Sequence, residues 1–222
     1  MNLPSQLFPV DWLWLGNLIF AFLLSRALWR ADWRDLLRNP ARINALVALT
    51  IGAFIFWQMN AGFRPGLNHH ILGTTLFVLM FGWEIAIIAI TTVMLSTWVR
   101  MDMSWLSLGL NGLSMVVLPV LFSEWVLRLS RRHLPKNLFL YVLGNGFLCS
   151  ALAIMLTVLT GSLLMLALSP YNWQLIKHSY LVAAPIIMLT EAFTTGAMIT
   201  AFTVFQPEAV LNFSEEEYLV GK

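Results

Sequence analysis

Six apolar runs, at about 12–29, 43–60, 71–99, 107–127, 137–168 and 179–205, take up most of this chain and leave only short polar pauses between them. A helix needs roughly 17–25 predominantly apolar residues to cross about 30 Å of hydrocarbon, and every run reaches that length. The runs are continuous rather than alternating in ten-residue segments, which points to a helical bundle and away from a β-barrel. Composition agrees: the 222 residues are 59% hydrophobic and 11% charged, with a mean hydropathy of +0.77, whereas a soluble domain is about 45–50% apolar and 25% charged. The expected fold is therefore all-α, a polytopic membrane protein forming a single transmembrane domain over 1–222 with the lipid bilayer as its solvent. The lone cysteine, Cys149, leaves no disulfide framework within the chain. A formal charge of +2 identifies no partner, and nothing indicates nucleic-acid binding.

The run 71–99 decides the number of crossings. As one helix it would be about 43 Å long and would carry Glu84 near mid-membrane, at a cost of at least about 2.5 kcal/mol. A turn at Gly82-Trp83-Glu84 removes both problems. With that turn, Arg26, Arg30, Arg34, Arg38, Arg42, Arg128, Arg131, Arg132, Lys136 and Lys222 fall inside, and Arg64, Arg100 and Lys177 outside, ten against three. Without it, the loop 128–136 and the C-terminus change sides and the count becomes seven against six. Inner loops of membrane proteins carry the excess of Lys and Arg. The sequence thus predicts seven transmembrane helices, N-terminus out and C-terminus in, with 1–11 an extracytoplasmic segment and 206–222 a cytoplasmic tail. The first charge is Asp11 and the arginines follow the apolar segment, the reverse of a cleavable signal. The acidic stretch Ser214–Tyr218 is expected to fray, and Trp12, Trp14, Trp57, Trp98, Trp105 and Trp173 are expected to form an aromatic belt at the outer boundary.

The chemistry-bearing residues are few. His69 and His70 sit in a polar pause, Arg64-Pro65-Gly66-Leu67-Asn68-His69-His70-Ile71-Leu72-Gly73, on the predicted outer side. Imidazole is the commonest biological metal ligand, so the pair suggests handling of a transition ion. On a regular helix adjacent side chains diverge by about 100°, and only an irregular loop, which Pro65, Gly66 and Asn68 permit, lets both face one site. His178 is a further donor candidate that reads more simply as an interfacial residue, and His133 belongs to the inner basic loop. Among the carboxylates, Glu191 lies midway along the last run, where it is expected to hydrogen-bond across helices to Asn111 or Asn145, and Glu124 is placed to pair with Arg128 one turn on. Met101 and Met103 form an M-x-M whose thioethers would suit Cu(I). No H-E-x-x-H, G-x-S-x-G or G-x-x-x-x-G-K-[ST] pattern occurs, so neither hydrolytic catalysis nor ATP hydrolysis by a phosphate-binding loop is expected.

From about residue 60 to 208 the chain resembles the substrate-specific membrane component of energy-coupling-factor cobalt and nickel transporters, the CbiM/NikM family. The resemblance is carried by His70-Ile71-Leu72-Gly73 before a short helix ending at Gly82, by Gly109-Leu110-Asn111-Gly112-Leu113-Ser114-Met115, and by Glu191-Ala192-Phe193-Thr194-Thr195-Gly196. It implies a bacterial inner-membrane uptake permease, not an enzyme, that works with a transmembrane coupling subunit and ATPase subunits. It also implies an ion, Ni(II) or Co(II), carried as substrate with no tightly bound cofactor. In the family the terminal amine, the backbone nitrogen and histidine side chain of the second residue, and a later histidine hold the metal in a nearly planar nitrogen site. Met1 and His70 match two of these positions. The second residue here is Asn2, so one of four donors is absent, and His69 is the residue available to replace it. Asn111 and Glu191 are carried over as structural or coupling positions. The competing expectation is an orphan relative without transport, acting as a small-molecule receptor, assembly factor or regulatory partner.

Overall fold

The computed structural model describes residues 2–59, 61–62 and 64–218. Among the described residues six helices are long and apolar enough to cross a membrane: α1 (Val10–Arg30), α3 (Pro40–Gln58), α4 (Thr74–Arg100), α5 (Trp105–His133), α6 (Leu138–Leu168) and α7 (Trp173–Phe205). Shorter pieces complete the chain: α2 (Trp33–Arg38), α8 (Glu215–Tyr218) and a hairpin of β1 (Ala61–Gly62) and β2 (Asn68–His69). The helices start where the sequence supplies caps. The Asp32 side chain accepts from the Asp35 backbone N–H, Asn39 from Arg42 with Pro40 at the first helical position, and Asn172 from Leu175. The protein is a multi-pass all-α membrane bundle.

The long helix α4 is two helices. Gly82 has φ 82° and ψ 166°, a region open essentially only to glycine, so the helical path ends there and restarts at Trp83. The break leaves the last carbonyls of Thr74–Phe81 without intrahelical partners. The segment after α7 supplies them: Leu211 N–H donates to the Met80 oxygen at 2.9 Å, Asn212 N–H to Leu79 at 3.3 Å, and Asn212 Nδ2 to Val78 at 2.9 Å. The break sits at the end of the bundle where Arg30 lies over the Trp83 ring and Arg131 donates to the Asn212 carbonyl. Arg100, by contrast, is followed by Met101 and Met103, at the end where Asn2 and Gln58 make their contacts. Trp83–Arg100 therefore runs back along the bundle. The limb before the break is only about 12 Å long. Where the sequence predicts a helix from residue 71, the structure has extended chain up to Gly73, because Leu72 and Gly73 give their N–H groups to Glu191 instead of to a helical turn.

α1 meets α5 through the Gly109-Leu110-Asn111-Gly112 stretch. A Cβ on Gly109 would collide with the Asn17 backbone and one on Gly112 with the Phe20 ring, so the two helices approach closely. Asn17 fastens the crossing, accepting from Gly109 N–H at 2.6 Å and donating to the Leu106 carbonyl at 3.1 Å. Elsewhere α1 presents Leu18, Phe22 and Trp29 outward, as a lipid-facing helix does.

Two expectations are corrected. Trp12, Trp14, Trp105 and Trp173 are exposed, as belt residues should be, but Trp57 and Trp98 are fully buried, their indole N–H groups donating to the Leu72 and Ser104 carbonyls. The acidic tail does not fray within the described residues. Tyr218 is buried against Tyr141 and Phe213, with ring centroids 5.1 and 5.2 Å away, and Glu217 pairs with Lys136 at 2.9 Å. The expected Glu124–Arg128 pair is present at 2.6 Å.

Candidate metal centre

The site is built from a hairpin turned into the bundle. Pro65 and Gly66 occupy the middle of its turn, closed by Leu67 N–H on the Arg64 carbonyl at 3.1 Å, and Gly66 takes φ 78°. A side chain at Gly66 would also collide with Met165, so the turn is pressed against α6. The return strand β2 carries Asn68 and His69 inward, and His70 to Gly73 continue to the start of α4. Irregular backbone at this depth must have its polar groups satisfied by protein. Glu191 does much of this: its carboxylate, 1% exposed, accepts from Leu72 N–H and Gly73 N–H, both at 2.7 Å. Trp57 Nε1 donates to the Leu72 carbonyl at 3.3 Å. The partners expected for Glu191 are engaged elsewhere, Asn145 with Ser130 and Asn111 with Leu3.

His69 and His70 are both buried, at 7% and 2% exposure. Extended backbone sends successive side chains to opposite sides, and the two rings have different neighbours. His69 stacks on Tyr180 with centroids 4.3 Å apart and planes 8° apart, while its Nε2 sits 3.0 Å from the Tyr180 carbonyl. His70 lies against Trp57 with centroids 4.5 Å apart, its Nδ1 3.3 Å from the Ile71 carbonyl. An imidazole nitrogen facing a carbonyl carries the proton, which leaves the other nitrogen with a lone pair. Those other nitrogens, His69 Nδ1 and His70 Nε2, are buried and without a hydrogen-bond partner. Burial pushes both rings well below the ordinary histidine value, His69 to about 4 and His70 to about 3, so both are neutral at pH 7. Neutral imidazole with a free lone pair and its second nitrogen held by a carbonyl is the form that binds a metal ion.

An N-terminal arm enters the same region. Asn111, on α5, accepts from Leu3 N–H at 2.7 Å and donates to the Leu3 carbonyl at 2.9 Å and to Ser107 at 2.8 Å. Asn2 N–H donates to Asn68 Oδ1 at 2.9 Å, and its side-chain amide reaches Met101 Sδ at 3.8 Å. The period of two puts His70 on the Asn68 side of the strand, toward the arm, and His69 on the other. Met1 lies outside the described residues. His178 and His133 are exposed and stand apart, His133 Nδ1 resting on the Leu129 carbonyl. Among the described residues no group of three or more His, Cys, Asp or Glu side chains converges. Sequence reasoning picked out both histidines, Asn111 and Glu191, but missed Asn68, Trp57 and Tyr180. Asn68 alone had a signal, its place in the polar pause; an apolar-phase tryptophan and a loop tyrosine carry none.

Two solved structures share this architecture. One, described as a transition metal transporter, is 19% identical with a TM-score of 0.73, and the alignment covers 96% of each chain. The other, a truncated transition metal transporter, is 18% identical with a TM-score of 0.72, covering 92% of this chain and 99% of that one. At this identity the likeness establishes the fold. No curated protein matches the chain. The family described as cobalt uptake substrate-specific transmembrane region matches residues 2–209, which takes in the arm, the histidine hairpin, the Gly82 break and Glu191 and stops just short of Leu211 and Asn212, which satisfy the break. With that match over nearly its whole length, the chain belongs to the cobalt-uptake substrate-specific transmembrane family and is a multi-pass membrane component of metal uptake, not an enzyme.

Proposed function

We propose that the chain is the substrate-binding permease component of an energy-coupling-factor-type transporter in the bacterial cell membrane, taking up Ni(II) or Co(II). The observation that carries this reading is the pair of buried, neutral imidazoles, each with one unpartnered nitrogen, beside an arm fixed by Asn68 and Asn111. A buried polar atom without a partner costs free energy, and a late divalent ion relieves that cost. The donors on the arm side are the Met1 amine and His70 Nε2; His69, whose ring stacks on Tyr180 across the strand, joins them only by turning away from that ring toward the arm. Planar nitrogen donors suit Ni(II) and related late divalent ions. Without a phosphate-binding loop of its own, the chain relies on a separate transmembrane coupling subunit and ATPase subunits for energy. We further infer seven crossings with the N-terminus out and the C-terminus in. The Gly82 break and the ten-to-three distribution of basic residues support this topology.

Metal titration of the purified protein with a native N-terminus tests the site. The wild type should bind one nickel or cobalt ion, His70→Ala should abolish binding, and His133→Ala should leave it unchanged. Equal effects of the two substitutions, or none, would remove the metal-receptor reading.

One observation favours a second reading. Asn2 stands where the family places a histidine, and its backbone N–H is occupied by Asn68, which fits an orphan relative acting as a small-molecule receptor, assembly factor or regulatory partner. If the wild type binds neither ion while Asn2→His does, the pocket persists but the function has moved, and the second reading holds.

A further inference from the structure

An open groove of about 600 Å³ runs between α5 and α6. Its walls are almost wholly apolar, with Leu113, Val117, Leu121 and Trp125 on one side and Leu156 and Leu164 on the other. Leu113–Val117 is a π-helical stretch, which breaks the regular side-chain rows of α5 where the groove opens. From Leu110 to Trp125 the wall extends about 22 Å along the helix axis, against about 15 Å for the hydrocarbon of one leaflet. The groove does not end in apolar surface. Leu121 and Trp125 also line a second pocket, of about 290 Å³, whose other walls are Arg26, Arg30, Trp83, Glu124 and Arg128. Glu124 is paired with Arg128 at 2.6 Å and Arg30 lies over the Trp83 ring. Three guanidinium groups stand against Glu124 among the lining residues, and Glu84 lies within electrostatic reach of Arg30 and Arg128, which leaves the mouth with an excess of one positive charge.

We propose that this continuous groove and mouth form a binding site for one anionic glycerophospholipid, an acyl chain lying along α5 and α6 and the phosphate held by Arg26 and Arg30. The charge argues for a lipid over a neutral helix: a basic pocket between transmembrane helices, opening at headgroup depth and joined to an apolar channel, matches the two halves of a phospholipid. Arginine suits the headgroup because its planar fork pairs with phosphate oxygens two at a time. The site shares no lining residue with the metal centre and stands whether or not an ion binds there.

Native mass spectrometry tests it, with the full-length protein in mild detergent titrated with phosphatidylglycerol or with phosphatidylcholine of the same acyl chains. Phosphatidylglycerol should be retained preferentially. The double variant Arg26→Gln/Arg30→Gln should lose roughly fivefold in affinity per arginine, and Arg64→Gln, at the other end of the bundle, should lose nothing. Thr160→Trp, which fills the groove without touching its charge, should weaken retention as well. Equal retention of the two lipids, or wild-type retention in the double variant, would overturn the proposal. So would a Thr160→Trp variant that keeps its lipid but no longer assembles with a co-produced membrane subunit, for then the groove belongs to a protein partner.

Discussion

Glu191 commits its carboxylate to backbone rather than to another side chain. Its two oxygens hold consecutive backbone N–H groups of the extended segment that follows His70, so α7 is fastened to the chain leaving the hairpin. Removing the acceptor leaves two buried N–H groups unpaired, at about 1–3 kcal/mol each. Glu191→Ala is therefore expected to destabilise the protein by about 2–6 kcal/mol in detergent, and Glu191→Gln, which keeps one acceptor oxygen, by about half as much. Thermal unfolding with metal-free protein checks this; an unchanged midpoint for Glu191→Ala would mean the contact is not a fastening. The sequence picked out this residue because a carboxylate in an apolar run is conspicuous, but gave it the wrong partners. Side chains reaching for other side chains can be guessed from residue types, whereas a side chain reaching for backbone amides depends on where the chain ceases to be helical. The buried Trp57 escaped for a similar reason: a tryptophan at a helix end has the same composition whether it faces lipid or a histidine.

At the scale of elements, the apolar runs were legible to within about six residues at either end, because the bilayer sets a minimum length for each. The helix from Thr74 was not. Residues 71–73 are apolar or glycine and continue the run in hydropathy, yet they stay extended, since their polar groups find Glu191 and Trp57. The Gly82 turn was read from charge and length, and its backbone angles give the reason glycine stands there. Gly82→Val places a β-branched residue in a region essentially closed to it, at about 1–3 kcal/mol. Its thermal midpoint should fall, and more than that of Gly52→Val, where an added Cβ meets nothing within 4 Å. If Gly82→Val is no worse than Gly52→Val, the break is not held by backbone conformation.

Across the whole molecule, the Gly82 break brings the basic loops to one end and the hairpin to the other. Arg30, Asn39 and Arg131 share the break's end with residues 208–218, tied by Asn39 Nδ2 on the Glu208 carbonyl at 2.8 Å and by Arg131 on Asn212. Single cysteines introduced at 30–42 or 129–136 are expected to be shielded from a membrane-impermeant reagent applied outside. Those at 170–177 should be labelled. Cys149 is buried and adds little background. Labelling at 129–136 from outside would overturn the seven-crossing topology. The bundle's outline was thus legible from charge and hydropathy, but the burial of the tail was not, because the aromatic contacts of Tyr218 depend on where α6 places Tyr141.

The arm has a consequence in time as well as in space. Leu3 is held by a residue 108 positions later and Asn2 by one 66 positions later, so neither contact can exist until much of the chain has been synthesised and inserted. Until β2 and α5, which carry Asn68 and Asn111, have been inserted, the arm has neither fastening and waits beside a receptor that is still being built.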